Sequence, residues 1–169
     1  MTGRKKSSDF IHQPRRDRMY EEHVQDPYLK RGKLAEPTVC PECGAVYQTG
    51  RWQWVKQPEG AYANLCPACS RIHDHIPAGI LSLHGDFFQQ HKEEIFHLIK
   101  HTEEQEKAEH PLERIMNIEE TGDPEHTRIS FTGIHLTRRT GEALRHAYQG
   151  SFDFTYSERD DVVHASWER

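Results

Sequence analysis

The sequence predicts an α+β protein with three parts: a basic, largely disordered tail at residues 1–33, a zinc ribbon at 34–80 and an α+β domain at 81–169. Two observations support this division. The only four cysteines form two Cys-x-x-Cys pairs within the second part, and the third part alternates between helical stripes and runs of period two. Its order of helix, strand, strand, helix, strand, strand predicts one antiparallel sheet covered by two helices.

The tail is basic, although the whole chain has a net charge of −5. It contains nine Lys or Arg against five Asp or Glu, and few apolar residues. Such a segment is suited to contact nucleic-acid phosphate and to order on binding. A solvated terminus without a partner fits the composition equally well. The basic residues are Arg4, Lys5, Lys6, Arg15, Arg16, Arg18, Lys30, Arg31 and Lys33.

The cysteine pairs have the form of a structural metal site. Each is a Cys-Pro-x-Cys knuckle, and the spacer between the two knuckles has 22 residues. Two such turns facing each other form the tetrahedral four-sulfur site that Zn²⁺ prefers. The alternatives are iron in the same site, two disulfides or four free thiols. We predict one structural zinc ion, held by Cys40, Cys43, Cys66 and Cys69.

Two pairs of histidines are candidates for further metal ligands. His73 and His75 follow the second knuckle, and His97 and His101 are four residues apart in a predicted helix. The first pair is not needed, because four sulfurs already complete a structural site. The second pair has no third ligand at a fitting spacing, so surface histidines are the preferred interpretation.

A hairpin is predicted inside the ribbon. Thr49-Gly50 is a turn signal between the β-prone runs 45–48 and 51–55. Trp52 and Trp54 are then placed on one face of the second strand. Either they pack over the metal site or a neighbouring domain, or they offer a stacking surface for bases. Packing is preferred, because a ribbon has few other large side chains.

The third part is predicted to begin with one helix at residues 81–110, capped by Asp86 and ended by Pro111. The apolar stripe stops at Thr102, so the acidic residues 103–109 are expected to face solvent. The stripe consists of Phe87, Phe88, His91, Ile95, Leu98, Ile99 and Thr102. The remaining predicted elements are strands at 114–120 and 127–132, a helix at 134–148, and strands at 151–156 and 163–167.

The helix predicted at 134–148 presents Arg138, Arg139 and Arg145 on its outer face. Three arginines on a short helix are suited to contact phosphates. Glu142 is four residues after Arg138 and three before Arg145, so pairing within the helix is the alternative.

No catalytic motif is present, and four thiolates leave a zinc ion no open position for substrate. We therefore expect no enzymatic activity and no small-molecule substrate. The N-terminal region has no apolar run, and no stretch approaches the ~20 apolar residues that span a bilayer. A soluble, cytoplasmic protein without a signal peptide is expected.

The chain resembles an uncharacterised family of small bacterial zinc-ribbon proteins over about residues 25–169. The resemblance rests on residues 36–44, 66–72 and 135–144, and on the segments from Pro77 to Gly85 and from His110 to Met116. At greater distance the chain is similar to the adaptors that escort the large ribosomal subunit in archaea and eukaryotes, which also place Cys-x-x-Cys knuckles before α+β segments. That similarity implies association with the ribosome or with RNA.

The leading hypothesis is a non-enzymatic, ribosome-associated RNA-binding protein that acts as a translation or ribosome-state factor. The tail, the two tryptophans and the helix arginines would supply the RNA contacts. A protein–protein adaptor that uses the ribbon is the alternative. A third hypothesis is electron transfer, because the knuckles resemble those of rubredoxin, although Ser70 stands where rubredoxins have glycine.

Overall fold

The computed structural model describes residues 27–28, 33–122 and 126–169. Two mixed sheets and four helices form an α+β fold within these residues. Most of the predicted tail falls outside them, so its prediction stays open. No helix in the described ranges is long and apolar enough to cross a membrane.

The first sheet belongs to the ribbon and has four short strands in the order β3-β2-β1-β4. The predicted hairpin is present between β2 and β3. Its turn residues Thr49 and Gly50 have φ angles of 53° and 78°, the left-handed pair that tight hairpins need. The Glu36 carboxylate accepts hydrogen bonds from both turn amides, at 2.8 and 3.1 Å. The strands are β1 (Thr38–Val39), β2 (Val46–Gln48), β3 (Arg51–Gln53) and β4 (Tyr62–Ala63).

A helix that the sequence pattern does not predict, α1 (Pro67–Asp74), begins inside the second knuckle. Cys66 is its N-cap, and the Cys66 sulfur accepts a hydrogen bond from the Cys69 amide at 3.4 Å. Pro67 occupies the first turn, where its missing N–H costs nothing. The helix ends at His75, which adopts the left-handed conformation with φ 56°.

The second sheet has five strands in the order β6-β7-β5-β9-β8. Its central strand β5 pairs antiparallel with β7 and parallel with β9. The sheet is therefore mixed, and the predicted antiparallel sheet is wrong in this respect. The strands are β5 (Gly79–His84), β6 (Ile115–Glu120), β7 (His126–Phe131), β8 (Ser151–Ser157) and β9 (Val162–Glu168).

The single helix predicted at 81–110 is also wrong at its N-terminal end. Residues 79–84 form β5, in which Leu81 and Leu83 are fully buried and alternate with Ser82 and His84. Gly85, with φ 106°, ends the strand. Two helices follow, α2 (Asp86–Gln90) and α3 (Lys92–Glu109). β5 begins at Gly79, two residues before the predicted start of the third part, and the division into three parts stays a prediction.

Helix α4 (Ile134–Tyr148) matches its predicted bounds and lies against β5, β7, β8 and β9, with α3 packed beside it. The core between helices and sheet is fully buried. The opposite face of the sheet carries exposed side chains such as Arg128 and His164. Helices thus cover one face of the sheet, as predicted. The largest core side chains are Trp167, Phe88, Phe131, Leu81, Leu83, Ile95, Ile99, Ile129, Leu136 and Leu144.

Candidate metal centre and adjoining cleft

The fold brings the four predicted metal ligands together. Cys40 and Cys43 form the turn after β1, and Cys66 and Cys69 stand at the N-terminus of α1. Their four sulfur atoms all lie within 4.8 Å of one another. This is the only group of its kind among the described residues. Three of the cysteines are buried, and Cys43 is half-buried.

The spacing of the sulfurs fits a tetrahedral metal ion. Metal–sulfur bonds of about 2.3 Å place the sulfurs of a tetrahedron about 3.8 Å apart, and the Cys43 and Cys66 sulfurs are 3.7 Å apart. A disulfide bond would need about 2 Å. All four cysteines are free. The donor set therefore fits one structural ion bound by four sulfurs.

Backbone amides of the second knuckle point at sulfurs of both knuckles. The Cys66 amide donates to the Cys40 sulfur at 3.4 Å, and the Cys69 amide donates to the Cys66 sulfur at the same distance. The first knuckle is closed by the Gly44 amide, which donates to the Cys40 carbonyl at 2.9 Å. Gly44 has a φ of 77°, a conformation that glycine adopts without strain. The turns thus place N–H dipoles where thiolate charge would be held.

Burial and hydrogen bonding shift the pKa values of the thiols in opposite directions. Burial raises the pKa of Cys66, and it raises the pKa of Cys69 to about 11 although Arg114 donates to that sulfur. At Cys40 burial acts in the same direction, but amides including those of Cys43 and Cys66 outweigh it and lower the pKa to about 7. A cation is needed to hold all four groups as thiolates in this setting.

A buried arginine that the sequence does not mark as a site residue completes the centre. Arg114 precedes β6 and is 8% exposed. Its guanidinium group donates to the sulfurs of Cys43 at 3.1 Å, Cys69 at 3.3 Å and Cys66 at 3.4 Å. These thiolates and hydrogen bonds raise the pKa of Arg114 further although burial opposes it. No local pattern marks this residue, because it is 45 positions beyond the last cysteine.

None of the four candidate histidines belongs to the sulfur cluster. His73 and His75 are exposed, and His73 lies 3.3 Å from the Asp74 carboxylate. His97 is exposed on α3, and His101 pairs with the Gln105 amide at 3.0 Å. Their placement agrees with the preferred interpretation as surface residues.

A cleft of about 890 Å³ lies between the ribbon, α1 and the segment that follows α3. Three aromatic side chains line it: Tyr28, Tyr47 and Trp52. The rings of Tyr47 and Trp52 are 5.5 Å apart at 58°. Trp52 is half-buried and packs against the cysteine cluster. The charged or titratable lining residues are Arg51, His110, Glu113 and His135.

Glu113 in the cleft wall caps the next helix. Its carboxylate accepts a hydrogen bond from the Leu136 amide in the first turn of α4, at 2.9 Å. The N-cap residue itself is Gly133, which has no side chain for capping, and a Cβ there would overlap the Glu113 carboxylate. Burial raises the pKa of Glu113, although the Leu136 amide and His135 act in the opposite direction.

Glu113 should therefore give the protein a measurable pH dependence. The folded state keeps a proton that the unfolded state has released, so the contribution of this group is present below its ordinary pKa of 4.5 and is lost as the pH rises through the raised pKa. We expect the free energy of unfolding of the wild type to fall relative to that of Glu113→Gln across this window.

Urea unfolding of both proteins, at several pH values from about 5 to about 8, measures this difference. Glu158→Gln, at an exposed turn position, is the control and should track the wild type. A difference between the wild type and Glu113→Gln that stays constant with pH would contradict the expectation.

The acidic end of α3 is not solvated throughout, so that expectation is wrong for two residues. The Glu103 carboxylate accepts a hydrogen bond from the Ile115 amide at 2.7 Å. The Glu106 side chain is only 15% exposed and lies 3.2 Å from His135 and 3.3 Å from Arg139. These residues join α3 to β6 and α4.

The predicted RNA-contacting residues fall into different places. Trp52 lines the cleft, whereas Trp54 is 38% exposed and donates from its indole nitrogen to the Lys107 carbonyl at 2.6 Å. Arg139 contacts Glu106, as described above. Arg138 contacts Glu142 at 2.9 Å, which realises the alternative of pairing within the helix. Lys33 and Arg145 are exposed. The other predicted contacts lie outside the described residues: Arg4, Lys5, Lys6, Arg15, Arg16, Arg18, Lys30 and Arg31.

No family model, no curated protein and no solved structure matches this chain.

Proposed function

We propose that the chain is a non-enzymatic RNA-binding protein that holds an unpaired base of single-stranded RNA in the cleft beside the metal centre. The observation that supports this is the lining of the cleft, where aromatic rings and the guanidinium group of Arg51 occur together. Bases stack on aromatic side chains regardless of sequence, and each stack contributes about 1–3 kcal/mol. The half-buried ring of Trp52, fixed against the cysteine cluster, is the firmest platform in the cleft.

Charge around the cleft suits a phosphate backbone. Arg51 is exposed beside Trp52, and His110 and His135 are exposed on the opposite wall. The acidic lining residue is Glu113, whose carboxylate accepts the hydrogen bond from the Leu136 amide. In the sequence, the basic cluster at 30–33 lies between Tyr28 and Leu34, and both of these line the cleft.

The metal in this proposal is one zinc ion with a structural role. Four thiolates at tetrahedral spacing suit Zn²⁺ and leave no position for a substrate. Reduced cysteines also fit the cytoplasm. Metal analysis of the purified chain tests this assignment, and red protein with one iron atom would instead support the electron-transfer alternative.

The binding test uses the full chain and a fluorescein-labelled single-stranded oligouridine, with fluorescence anisotropy as the readout. We expect Trp52→Ala to weaken binding about 5- to 150-fold, the equivalent of one lost stack, and Trp52→Phe to retain most of the affinity. Arg51→Ala should weaken binding and reduce the slope of log affinity against log salt by about 1.

Trp54→Ala is the matched control, because Trp54 is an exposed tryptophan of the same ribbon that does not line the cleft. It should bind oligouridine as the wild type does. Equal affinities for the wild type, Trp52→Ala and Arg51→Ala would overturn the cleft as the binding site. A chain that fails to bind RNA even at low salt would overturn the function.

Ribosomes are the RNA partner we expect, with a role in translation or in the state of the ribosome. Sedimentation of cell extract on sucrose gradients should place the chain with ribosomal particles at low salt and release it at high salt. Two variants test the two predicted contacts that lie outside the cleft. One is a chain without residues 1–33, and the other is a triple alanine variant of Arg138, Arg139 and Arg145. If both variants are released from ribosomal particles at the same salt concentration as the wild type, the tail and the three arginines do not take part in binding.

A protein–protein adaptor is the second candidate. It is favoured by the adjacent side chains of Trp54 and Val55, which are 38% and 41% exposed on the ribbon. In that case the purified chain carries no RNA and its ratio of absorbance at 260 and 280 nm is that of protein alone. Trp54→Ala would then reduce binding of the protein partner, while Trp52→Phe would not.

A further inference from the structure

Each of the four clustered sulfurs accepts a hydrogen bond, and a single side chain donates to three of them. The sulfurs of Cys40 and Cys66 accept from the amides described above. For Cys43 and Cys69 the donor is the Arg114 guanidinium group, which also reaches Cys66. Cys43 is the half-buried cysteine of the four, so the closest Arg114 contact covers the sulfur that solvent reaches most easily.

Charge explains why an arginine is tolerated here. A divalent ion with four thiolates has a net charge of about −2. Arg114 adds one positive charge within the same buried space, and a buried arginine without such partners would be strongly destabilising. The pairing is therefore mutual: the sulfurs satisfy the guanidinium group, and the guanidinium group offsets half of the excess negative charge.

Arg114 makes further hydrogen bonds to groups outside the sulfur cluster. Its Nε donates to the Pro111 carbonyl at 2.8 Å. Its backbone amide donates to the Thr132 hydroxyl at 2.9 Å, and its carbonyl accepts from the Thr132 amide at 2.9 Å. Thr132 directly follows β7, so Arg114 connects the sulfur cluster to the second sheet.

We infer that Arg114 is a positioning residue of the metal centre: it stabilises the metal-bound thiolates, lowers their reactivity and couples metal loading to attachment of the ribbon on the second sheet. Hydrogen bonds from residues around the ligands commonly change metal affinity about 10- to 100-fold. Donation from N–H to sulfur lowers the energy of the sulfur lone pairs, which makes the thiolates weaker nucleophiles. This role is independent of the proposed RNA binding.

The test replaces Arg114 in the full chain and uses Co²⁺ as a spectroscopic substitute. In Arg114→Met we expect the sulfur-to-cobalt charge-transfer bands to move to longer wavelength, because the lone pairs rise in energy. Zinc affinity, measured by competition with a chromogenic chelator, should fall about 10- to 100-fold. Alkylation of the zinc-loaded protein by iodoacetamide should become faster, with Cys43 modified first. Arg114→Lys keeps the positive charge but lacks the planar guanidinium group that donates to three sulfurs. Its cobalt spectrum, zinc affinity and alkylation rate should lie between those of the wild type and Arg114→Met.

Arg71→Met is the matched control, because Arg71 is a second buried arginine near the centre and donates to the Ile76 carbonyl at 3.1 Å. It should leave the cobalt spectrum unchanged even if stability falls. Equal spectra and alkylation rates in the wild type and Arg114→Met would overturn the inference, as would an equal change in Arg71→Met. If Arg114→Met does not fold, Arg114→Lys decides: a wild-type spectrum and wild-type zinc affinity in that variant would overturn it.

Discussion

Replacement of Cys66 by serine is expected to abolish stable metal binding and to unfold the ribbon. Cys66 is fully buried, and its sulfur is the one that contacts both an α1 amide and Arg114. Serine is itself a good N-cap, so α1 keeps its cap and the loss reports the missing metal ligand. Structural zinc supplies about 10–16 kcal/mol in small metal modules at neutral pH, which exceeds what a ribbon without a large core can replace.

Metal stoichiometry and near-ultraviolet circular dichroism of the tryptophans measure this effect. We expect less than one equivalent of bound zinc and loss of the signal from Trp52, which packs against the cluster. Amide protection at Leu81 and Ile129 should persist, because the main core contains no ribbon residue. Ser70→Ala, one helical turn away and outside the cluster, is the control. A Cys66→Ser chain that holds one zinc ion with an unchanged spectrum would contradict the prediction.

Removal of the Trp167 side chain is expected to give the largest loss of stability in the second sheet. Trp167 is fully buried in β9, and its indole nitrogen donates to the Gln149 carbonyl at 2.8 Å. Truncation of a buried aromatic residue to alanine costs about 3–5 kcal/mol, because it removes apolar contact and leaves a cavity. The indole also fixes the turn between α4 and β8, where Gly150 has a φ of 92°.

Urea denaturation of Trp167→Ala against the wild type measures the change in the free energy of unfolding. Trp167→Phe, which keeps most of the packing and loses the hydrogen bond, should fall between them. Trp54→Ala removes a tryptophan that is 38% exposed and should cost less than Trp167→Ala, because part of the Trp54 surface is already in contact with water. A Trp167→Ala change as small as that of Trp54→Ala would contradict the assignment of Trp167 to the core.

The sequence was sufficient for features whose determinants are local. The bounds of α4 follow from its apolar stripe and the glycine after it, and β8 and β9 follow from strict alternation. The metal cluster follows from cysteine spacing alone, because each knuckle is a local turn. The ribbon hairpin follows from Thr49-Gly50, whose left-handed pair sets the turn.

Features that depend on distant residues could not be derived in this way. β5 is short, and the sequence predicts that its alternating Leu81 and Leu83 belong to the helix that follows them. Its parallel pairing with β9 leaves no local signal, so the sheet was predicted as antiparallel. Helix α1 was missed because a metal ligand, Cys66, serves as its cap. Arg114 and Glu106 show their roles only when partners far along the chain are in place.

The parallel pairing of β5 with β9 has a consequence for the order of folding. Gly79 at the start of β5 lies opposite Val163, 84 positions later. Contacts of such high sequence separation are slow to form, because loop-closure entropy is lost before they contribute. The four strands of the ribbon pair only with one another, and its four sulfurs come from residues 40–69, so this sheet can form before β9 is available. Until β9 is available, one edge of the apolar strand β5 is exposed, and a chain interrupted before residue 162 presents that edge for aggregation or for capture by a chaperone.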